Sequence, residues 1–411
     1  MSFPFAVVLE GRPTRKDDTT SNEETGWSMK KVVSFGAGSV GRGFLGNLYS
    51  DSGWETVFVD VDQPVIDALS ERGEYELHIA SIPERVVSVK NVRGVYASDV
   101  ETVASEIRDA DLISTAVGAG ALPAVCSTIA RGLELRMQGG KAPINILVCE
   151  NLANAADRFR SLLLQSIDPK STSYVENEVG LVETVISRMV PVVTAEQRAS
   201  DVLYISAEEY AIIPINRDGL VGEIPDIKGL IAVEGFEGHK QRKLFTHNCA
   251  HSLFAYYGYQ HGHKYIWQAI EDGKIHERVA EAVDESGRAL ISMYGFDPEE
   301  QREHAADVIR RAANRSLGDT VARVGRDPIR KLGSTERFIA PARAALSCGI
   351  RPIGLARGIA CALKYDEADD QSAARLQAML RDYGIDHVLR EVCGLSPDEA
   401  LYGLISEACK D

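Results

Sequence analysis

The chain has 411 residues, of which 45% are hydrophobic and 26% charged, so it has an ordinary globular composition and enough length for two domains. Its formal net charge of -15 argues against nucleic acid or an anionic membrane as a partner. The sequence has no apolar run of membrane-spanning length, no signal-peptide pattern and, among seven cysteines, no C-x-x-C pair. We therefore expect a cytoplasmic protein that lacks disulfides and a structural zinc.

The start of the chain differs from the remainder. Residues 11–24 are polar and have no apolar period, which predicts a disordered extension over residues 1–28. A strand-like run begins directly at Met29, so this residue is also a candidate for the true start of the protein.

A glycine-rich turn follows the first predicted strand. Residues 31–35 are apolar and β-branched, as in a buried parallel strand, and residues 36–41 read G-x-G-x-x-G before a segment that can continue as a helix. In this setting the three glycines permit a tight turn, close approach of the backbone to a pyrophosphate, and packing of the helix on the strand. The N–H groups of the helix would then face the phosphates. The predicted cofactor contacts in this segment are Gly36, Gly38, Ser39, Val40 and Gly41.

The next predicted strand, residues 56–60, ends in an acid. Asp60 lies 19 positions after Gly41, close to the spacing of about 20 at which a carboxylate bonds the ribose hydroxyls of a dinucleotide. A carboxylate at this place repels the extra phosphate of NADP, so the pattern predicts NAD. Asp62 is an alternative acid for this role, and the alternative to a ribose ligand is a surface acid after an unrelated strand.

Two further predicted strands, residues 111–118 and 145–151, continue the α/β alternation. Residues just past the carboxyl ends of such strands line the ligand crevice of a doubly wound sheet. We therefore expect Val117, Gly118 and Asn151 near the nicotinamide end of a cofactor. For Asn151, a plain turn residue is an equally good interpretation.

The second half of the chain changes character. Residues 202–215 still have a strand pattern, whereas from about residue 237 the pattern is helical. We predict an α/β fold with a Rossmann-type doubly wound sheet over residues 29–228, followed by a mainly α-helical substrate and catalytic domain over residues 229–411.

One predicted helix carries polar groups on a single face. At roughly 100° per residue, Lys243, His247, Asn248 and His251 fall on the same side. A desolvated lysine can take the hydroxyl proton of an alcohol that loses hydride, and an amide and an imidazole can bond the developing oxyanion. A solvated helix face would explain the same residues without catalysis.

His261 and His263 form a second histidine group. We interpret them as surface residues rather than metal ligands, because no carboxylate lies nearby in the sequence at ligand spacing, and we predict no metal site.

The chain resembles the polyol-specific long-chain dehydrogenases, the mannitol dehydrogenase family, from Met29 to about Tyr365. The segments that carry the resemblance are residues 35–44, 149–151, 242–251, 285–287, 294–296 and 324–332. It implies a zinc-free, NAD-dependent hydride transfer in which Lys243 is the general base and Asn248 and His251 position the reacting oxygen. No role follows for His247.

The resemblance also bears on the substrate. The chain is most similar to family members that oxidise a sugar-alcohol phosphate, mannitol 1-phosphate, to fructose 6-phosphate. One position departs from the family pattern, because Ser187 precedes Arg188 where the family has an acid. An unphosphorylated polyol or a hexuronate is therefore the alternative substrate.

The densest basic cluster of this acidic chain comprises residues 323–331 and Arg337. Guanidinium groups bind phosphate in a bidentate manner, so we predict that Asn151, Arg330, Lys331 and Arg337 contact the substrate. A solvated loop, or salt bridges to the many acids, is the alternative.

Two wider questions stay open at this stage. A non-catalytic NAD-binding protein is the alternative from another class, and the intact set of Lys243, Asn248 and His251 argues against it. A monomer and a small homo-oligomer fit the sequence equally well.

Overall fold

The computed structural model describes residues 29–152 and 154–410, so the extension predicted over residues 1–28 lies outside the described part of the chain. The strands are β1 (Lys31–Phe35), β2 (Glu55–Asp60), β3 (Glu74–Ile79), β4 (Arg85–Lys90), β5 (Val92–Tyr96), β6 (Leu112–Thr115), β7 (Ile144–Val148), β8 (Val179–Glu183), β9 (Ile205–Ala207), β10 (Ile213–Asn216) and β11 (Leu230–Val233). The helices between them are α1 (Gly46–Asp51), α2 (Gln63–Arg72), α3 (Val100–Arg108), α4 (Leu122–Gln138), α5 (Ala155–Ser166), α6 (Thr172–Glu178) and α7 (Ala195–Ser200).

The main sheet is parallel and has the order β5-β2-β1-β6-β7-β8. Its strands are mainly apolar because both faces are covered: on β1, Val33 packs toward α3 and α4, whereas Val32 packs toward α1. The strand order reverses between β1 and β6, which opens a crevice at the carboxyl ends of these two strands. The prediction of a Rossmann-type doubly wound sheet is confirmed.

Two small sheets flank the main one. Strands β4, β3 and β9 form the first, and β10 pairs in parallel with β11 in the second. Strand β11 follows the boundary predicted at residue 228, and the helices begin at Phe236. The division into domains at that residue stays a prediction.

The remainder of the described chain is helical, as predicted. Its helices are α8 (Phe236–Arg242), α9 (Cys249–Gln260), α10 (Ile266–Glu271), α11 (Gly273–Tyr294), α12 (Pro298–Ala312), α13 (Val321–Gly325), α14 (Pro328–Lys331), α15 (Ile339–Ser347), α16 (Ile353–Leu363), α17 (Gln371–Tyr383), α18 (Ile385–Glu391) and α19 (Ala400–Ala408). Helix α9 is buried along most of its length, with α11 and α16 packed against it. Within residues 29–152 and 154–410, no helix combines the length and apolarity needed to cross a bilayer.

Candidate active site

Two of the three glycines in the loop are required by the packing of the protein itself, and the third faces open space. Gly36 has φ +98°, and a Cβ there would lie 2.4 Å from the carbonyl oxygen of Ala116. A Cβ on Gly41 would lie 1.9 Å from the carbonyl oxygen of Gly36, so the protein itself needs both glycines. Gly38 is exposed and its Cβ would meet no described atom within 4 Å. The space beside Gly38 therefore fits a group bound from outside, such as a pyrophosphate.

Asp60 lies beside this loop at the end of β2. Its Oδ2 accepts a 2.6 Å hydrogen bond from the Ala37 N–H, and its Oδ1 accepts bonds of 2.7 and 3.0 Å from the Val61 and Asp62 N–H groups. Asp62 instead forms an ion pair with Arg198. Of the two acids considered from the sequence, Asp60 is the one in contact with the glycine loop.

The loop after β6 is held by an acid that our sequence analysis did not select as a site residue. Glu150 is buried at the end of β7, and its two carboxylate oxygens accept bonds of 2.9 and 2.7 Å from the N–H groups of Val117 and Gly118. This places Val117 beside the end of β7. The sequence signal that could have identified Glu150 is an acid that follows the apolar strand β7 by two residues.

The predicted catalytic helix contains a π-helical turn, Lys243–Asn248, between α8 and α9. In such a turn residues i and i+5 lie above one another, and Lys243 and Asn248 both line the same cleft. The wider turn directs His247 into the interior, where Nη2 of Arg311 lies 3.5 Å from its Nδ1. Burial, together with Arg311, lowers the pKa of His247 well below its usual value. The prediction that His247 lies on the same helix face as Lys243 and Asn248, made with about 100° per residue, was therefore wrong.

A cleft of 770 Å³ lies where the carboxyl ends of β7 and β8 meet the π-helical turn. Its walls include Val40, Glu150, Asn151, Thr184, Lys240, Lys243, Asn248, Arg330, Glu336 and Arg337. The structure thus brings six of the predicted site residues into one cleft, from segments of the chain far apart in sequence.

Lys243 is the central basic group of this cleft. Its Nζ donates a 3.3 Å hydrogen bond to Oδ1 of Asn151, which follows β7. Burial lowers the pKa of Lys243 to about 8, and the positive charge of Arg337 acts in the same direction. An amine with this pKa is neutral in a minor but useful fraction of molecules near physiological pH, so it can accept a proton there.

His251 follows one turn later on α9, outside the residues that form the cleft wall. Its Nε2 lies 3.4 Å from Oδ2 of Asp319. Burial alone would raise the pKa of Asp319, but His251 and Arg323 lower it, so this acid is an anion beside the imidazole. Asp319 was not predicted, because nothing in its local sequence relates it to a residue 68 positions earlier.

The predicted phosphate-binding residues divide into two groups. Arg330 and Arg337 line the cleft, and Glu336 lies 3.4 Å from Arg330 and 3.2 Å from Arg337. Lys331 is only 3% exposed, and its ammonium donates to the carbonyl oxygens of Val324 and Arg326. Neighbouring residues on a helix point about 100° apart, so α14 directs Arg330 to the cleft and Lys331 away from it. The prediction that Lys331 contacts the substrate conflicts with this position.

Comparison with known proteins agrees with the architecture. Residues 30–229 match the mannitol dehydrogenase Rossmann domain, and residues 235–398 match the mannitol dehydrogenase C-terminal domain. The chain belongs to the mannitol dehydrogenase family. This confirms the family predicted from the sequence and, with it, an oxidoreductase built on a Rossmann domain.

The sequence similarity to relatives in the family extends over almost the whole chain. Mannitol-1-phosphate 5-dehydrogenase of Bacillus licheniformis is 37% identical over 375 residues, which cover 91% of this chain and 98% of that protein. The enzyme of the same name from Brevibacillus brevis is 33% identical over 379 residues, covering 92% and 97%.

Solved structures show the same fold at low sequence identity. A D-sorbitol dehydrogenase in substrate-free form superimposes with a TM-score of 0.77 at 17% identity, covering 93% of this chain and 92% of that one. Mannitol 2-dehydrogenase of Pseudomonas fluorescens, in a ternary complex with NAD and D-mannitol, gives a TM-score of 0.70 at 14% identity with the same coverage.

Proposed function

We propose that this protein oxidises mannitol 1-phosphate to fructose 6-phosphate with NAD as the hydride acceptor, and catalyses the reverse reduction. The observation that carries the proposal is the 3.3 Å contact between Lys243 and Asn151. It places a desolvated amine at the carboxyl end of β7, in a cleft that two arginines line on another side. The names of relatives at 33–37% identity support the choice of substrate.

The cofactor would lie along the carboxyl ends of β1, β2 and β6. The open space at Gly38 suits the pyrophosphate, with Ser39 and Val40 at the start of the following helix, and Asp60 suits the ribose hydroxyls. Glu150 fixes the loop that carries Val117 near the nicotinamide end. When bound, NAD⁺ supplies the acceptor for the hydride that leaves the carbinol carbon. A carboxylate at position 60 disfavours NADP.

In the proposed mechanism the neutral amine of Lys243 takes the hydroxyl proton of the carbon that loses hydride, so a side chain and not a zinc ion handles this proton. Asn151 orients the amine, and the amide of Asn248 donates to the oxygen as it gains negative charge. His251 would help to position the reacting oxygen from beside the cleft, and Asp319, 3.4 Å from its Nε2, holds the imidazole in one orientation.

The proposed binding groups for the phosphate are Arg337 and Arg330, with Asn151 contacting the end of the substrate that reacts. We expect Arg337→Gln to raise KM for fructose 6-phosphate by about tenfold or more, since a charge-assisted bond is worth roughly 1.5–3 kcal/mol. Its effect on kcat should be smaller. NADH oxidation with fructose 6-phosphate, fructose and fructuronate, measured side by side, tests both the substrate and this residue.

One observation favours a second candidate substrate. Glu336 lies within ion-pair distance of both arginines, which reduces the positive charge available to a phosphate. An unphosphorylated polyol or a hexonate is the corresponding alternative. Turnover with fructose or fructuronate but not with fructose 6-phosphate would select it. Arg337→Gln would then leave KM for fructose unchanged, whereas KM for fructuronate, whose carboxylate can pair with an arginine, would rise.

Because Lys243 has a lowered pKa, we expect the rates of oxidation and of reduction to depend on pH in opposite ways. Oxidation requires the neutral amine, so kcat/KM for mannitol 1-phosphate should rise with pH and level off above about 8. Reduction requires the protonated lysine, so kcat/KM for fructose 6-phosphate should fall as pH increases through the same value. Steady-state rates in both directions, with cofactor at saturation, check this prediction. Profiles that run in the same direction would contradict a role for Lys243 in proton transfer.

A further inference from the structure

A second group of ligating side chains lies away from the cleft, at the end of α9. One ligand atom from each of His261, His263 and Asp272 lies within 4.8 Å of the other two. Both imidazoles face the same carboxylate oxygen, with Oδ2 of Asp272 3.5 Å from Nδ1 of His261 and 3.2 Å from Nε2 of His263. All three side chains are between a quarter and about a third exposed, so an ion can reach them from solvent.

The backbone holds this group in place without help from an ion. Gly262 turns the chain at φ +75°, and the His263 N–H donates a 2.9 Å bond back to the carbonyl oxygen of Gly258. Asp272 is the N-cap of α11, and its Oδ1 accepts from the N–H groups of Lys274 and Ile275. The second oxygen, Oδ2, is therefore left to face the histidines. Sequence spacing did not indicate a carboxylate here, because Asp272 follows His263 by nine positions and an intervening helix.

We propose that His261, His263 and Asp272 bind a divalent transition-metal ion of the zinc class. Tetrahedral bonds of about 2.0–2.1 Å place neighbouring ligand atoms about 3.3 Å apart, which matches the two distances to Oδ2. Two imidazoles with one carboxylate suit Zn²⁺ and its neighbours in the first row, whereas Mg²⁺ and Ca²⁺ prefer oxygen ligands alone. Water would complete the coordination.

The bound ion stabilises the fold and takes no part in the reaction. It joins the end of α9 to the start of α11, two helices that pack against each other in the helical core. A 12-residue helix at a rise of 1.5 Å per residue separates the cluster from Asn248 by about 18 Å. The ion should therefore raise the unfolding temperature without changing turnover.

The test uses the full-length protein, dialysed against EDTA, with calorimetric titration of Zn²⁺ and thermal unfolding with and without the ion. The variants are His263→Asn and Asp272→Asn, the latter keeping an oxygen that can cap α11. His387→Asn, which removes a histidine elsewhere in the helical part, is the matched control.

We expect wild type and His387→Asn to bind one equivalent of Zn²⁺ and to unfold at a higher temperature with it. The other two variants should bind Zn²⁺ at least about 100-fold more weakly, since even loss of an outer partner of a metal site costs 10–100-fold. Equal binding by wild type and Asp272→Asn, or no binding by wild type, would overturn the proposal. A loss of turnover after EDTA, measured well below the unfolding temperature of the metal-free protein and restored by Zn²⁺, would overturn the statement that the ion takes no part in the reaction.

Discussion

Replacing Lys243 by alanine should lower kcat for polyol-phosphate oxidation by roughly 10²–10⁴-fold, the usual contribution of a positioned general base. Cofactor affinity should change little, because the glycine loop and Asp60 lie on other segments of the chain and Lys243 has no hydrogen bond to them. Stopped-flow or steady-state rates give kcat, and fluorescence titration with NADH gives the binding constant. Added small primary amines should restore part of the rate, since they can enter the space that the side chain leaves.

Lys240 supplies a matched control for this experiment. It lies on the same continuous helix and lines the same cleft, but its ammonium is 2.8 Å from Glu237 and 3.4 Å from Glu183. Although burial alone would lower its pKa, the two carboxylates raise it, so Lys240 stays protonated and cannot act as a base. Lys240→Ala should lose only a small part of the activity that Lys243→Ala loses. Equal losses, or no rescue by amines, would count against Lys243 as the base.

The parts of the site that could be predicted are those that depend on local sequence. The glycine loop requires a strand, a turn and a helix in immediate succession, and the two glycines that the fold needs lie five positions apart. The place of Asp60 follows from the length of one βαβ unit. The helical periodicity that starts at about residue 237 is sufficient to predict the helical part.

The remaining features of the site depend on local and tertiary geometry that a regular helical periodicity in the sequence cannot reveal. A π-helical turn adds one residue to a helical turn, so it aligned Lys243 with Asn248 and moved His247 to the interior. Lys331 and Arg330 are adjacent in sequence and basic, but only one of them can face the cleft from α14. Asp319 and Asp272 meet their histidines through tertiary packing. Pattern analysis could identify the residue types but not these partners.

A buried network joins the Rossmann part of the chain to the helical part. The side chain of Arg311 on α12 is 7% exposed, and its Nη1 lies 3.2 Å from Oε1 of Glu208, a residue that follows β9 and whose side chain is 4% exposed. The same Glu208 oxygen accepts a 2.7 Å bond from the N–H of Met189. The Arg311 guanidinium also stacks 4.0 Å from the ring centroid of Tyr210. Burial raises the pKa of Glu208, and Arg311 opposes that effect.

We expect Arg311→Met to lower the free energy of unfolding by about 3–5 kcal/mol, because it removes the cation that pairs with the buried Glu208 carboxylate at 3.2 Å. Among the described residues it leaves near this carboxylate only the cation of Arg188, which forms no ion pair with it. Urea unfolding measures the loss. In this variant the pKa of Glu208 rises further, so the folded state binds a proton more tightly than the unfolded state. The loss should therefore grow as pH increases through that raised pKa and diminish on acidification.

Two further variants distinguish the stability lost through the unpaired buried charge from stability lost through a general disturbance of α12. Arg310→Met removes the preceding arginine, which is 76% exposed and pairs with Asp307 at the surface, so it should cost only about 0–1 kcal/mol. The double variant Arg311→Met with Glu208→Gln should recover part of the stability, since the carboxylate that lost Arg311 is then removed as well, while the buried Arg188 loses the negative charge of Glu208. A double variant as unstable as Arg311→Met alone would mean that packing against Tyr210, and not the ion pair, holds the two parts of the chain together at this point.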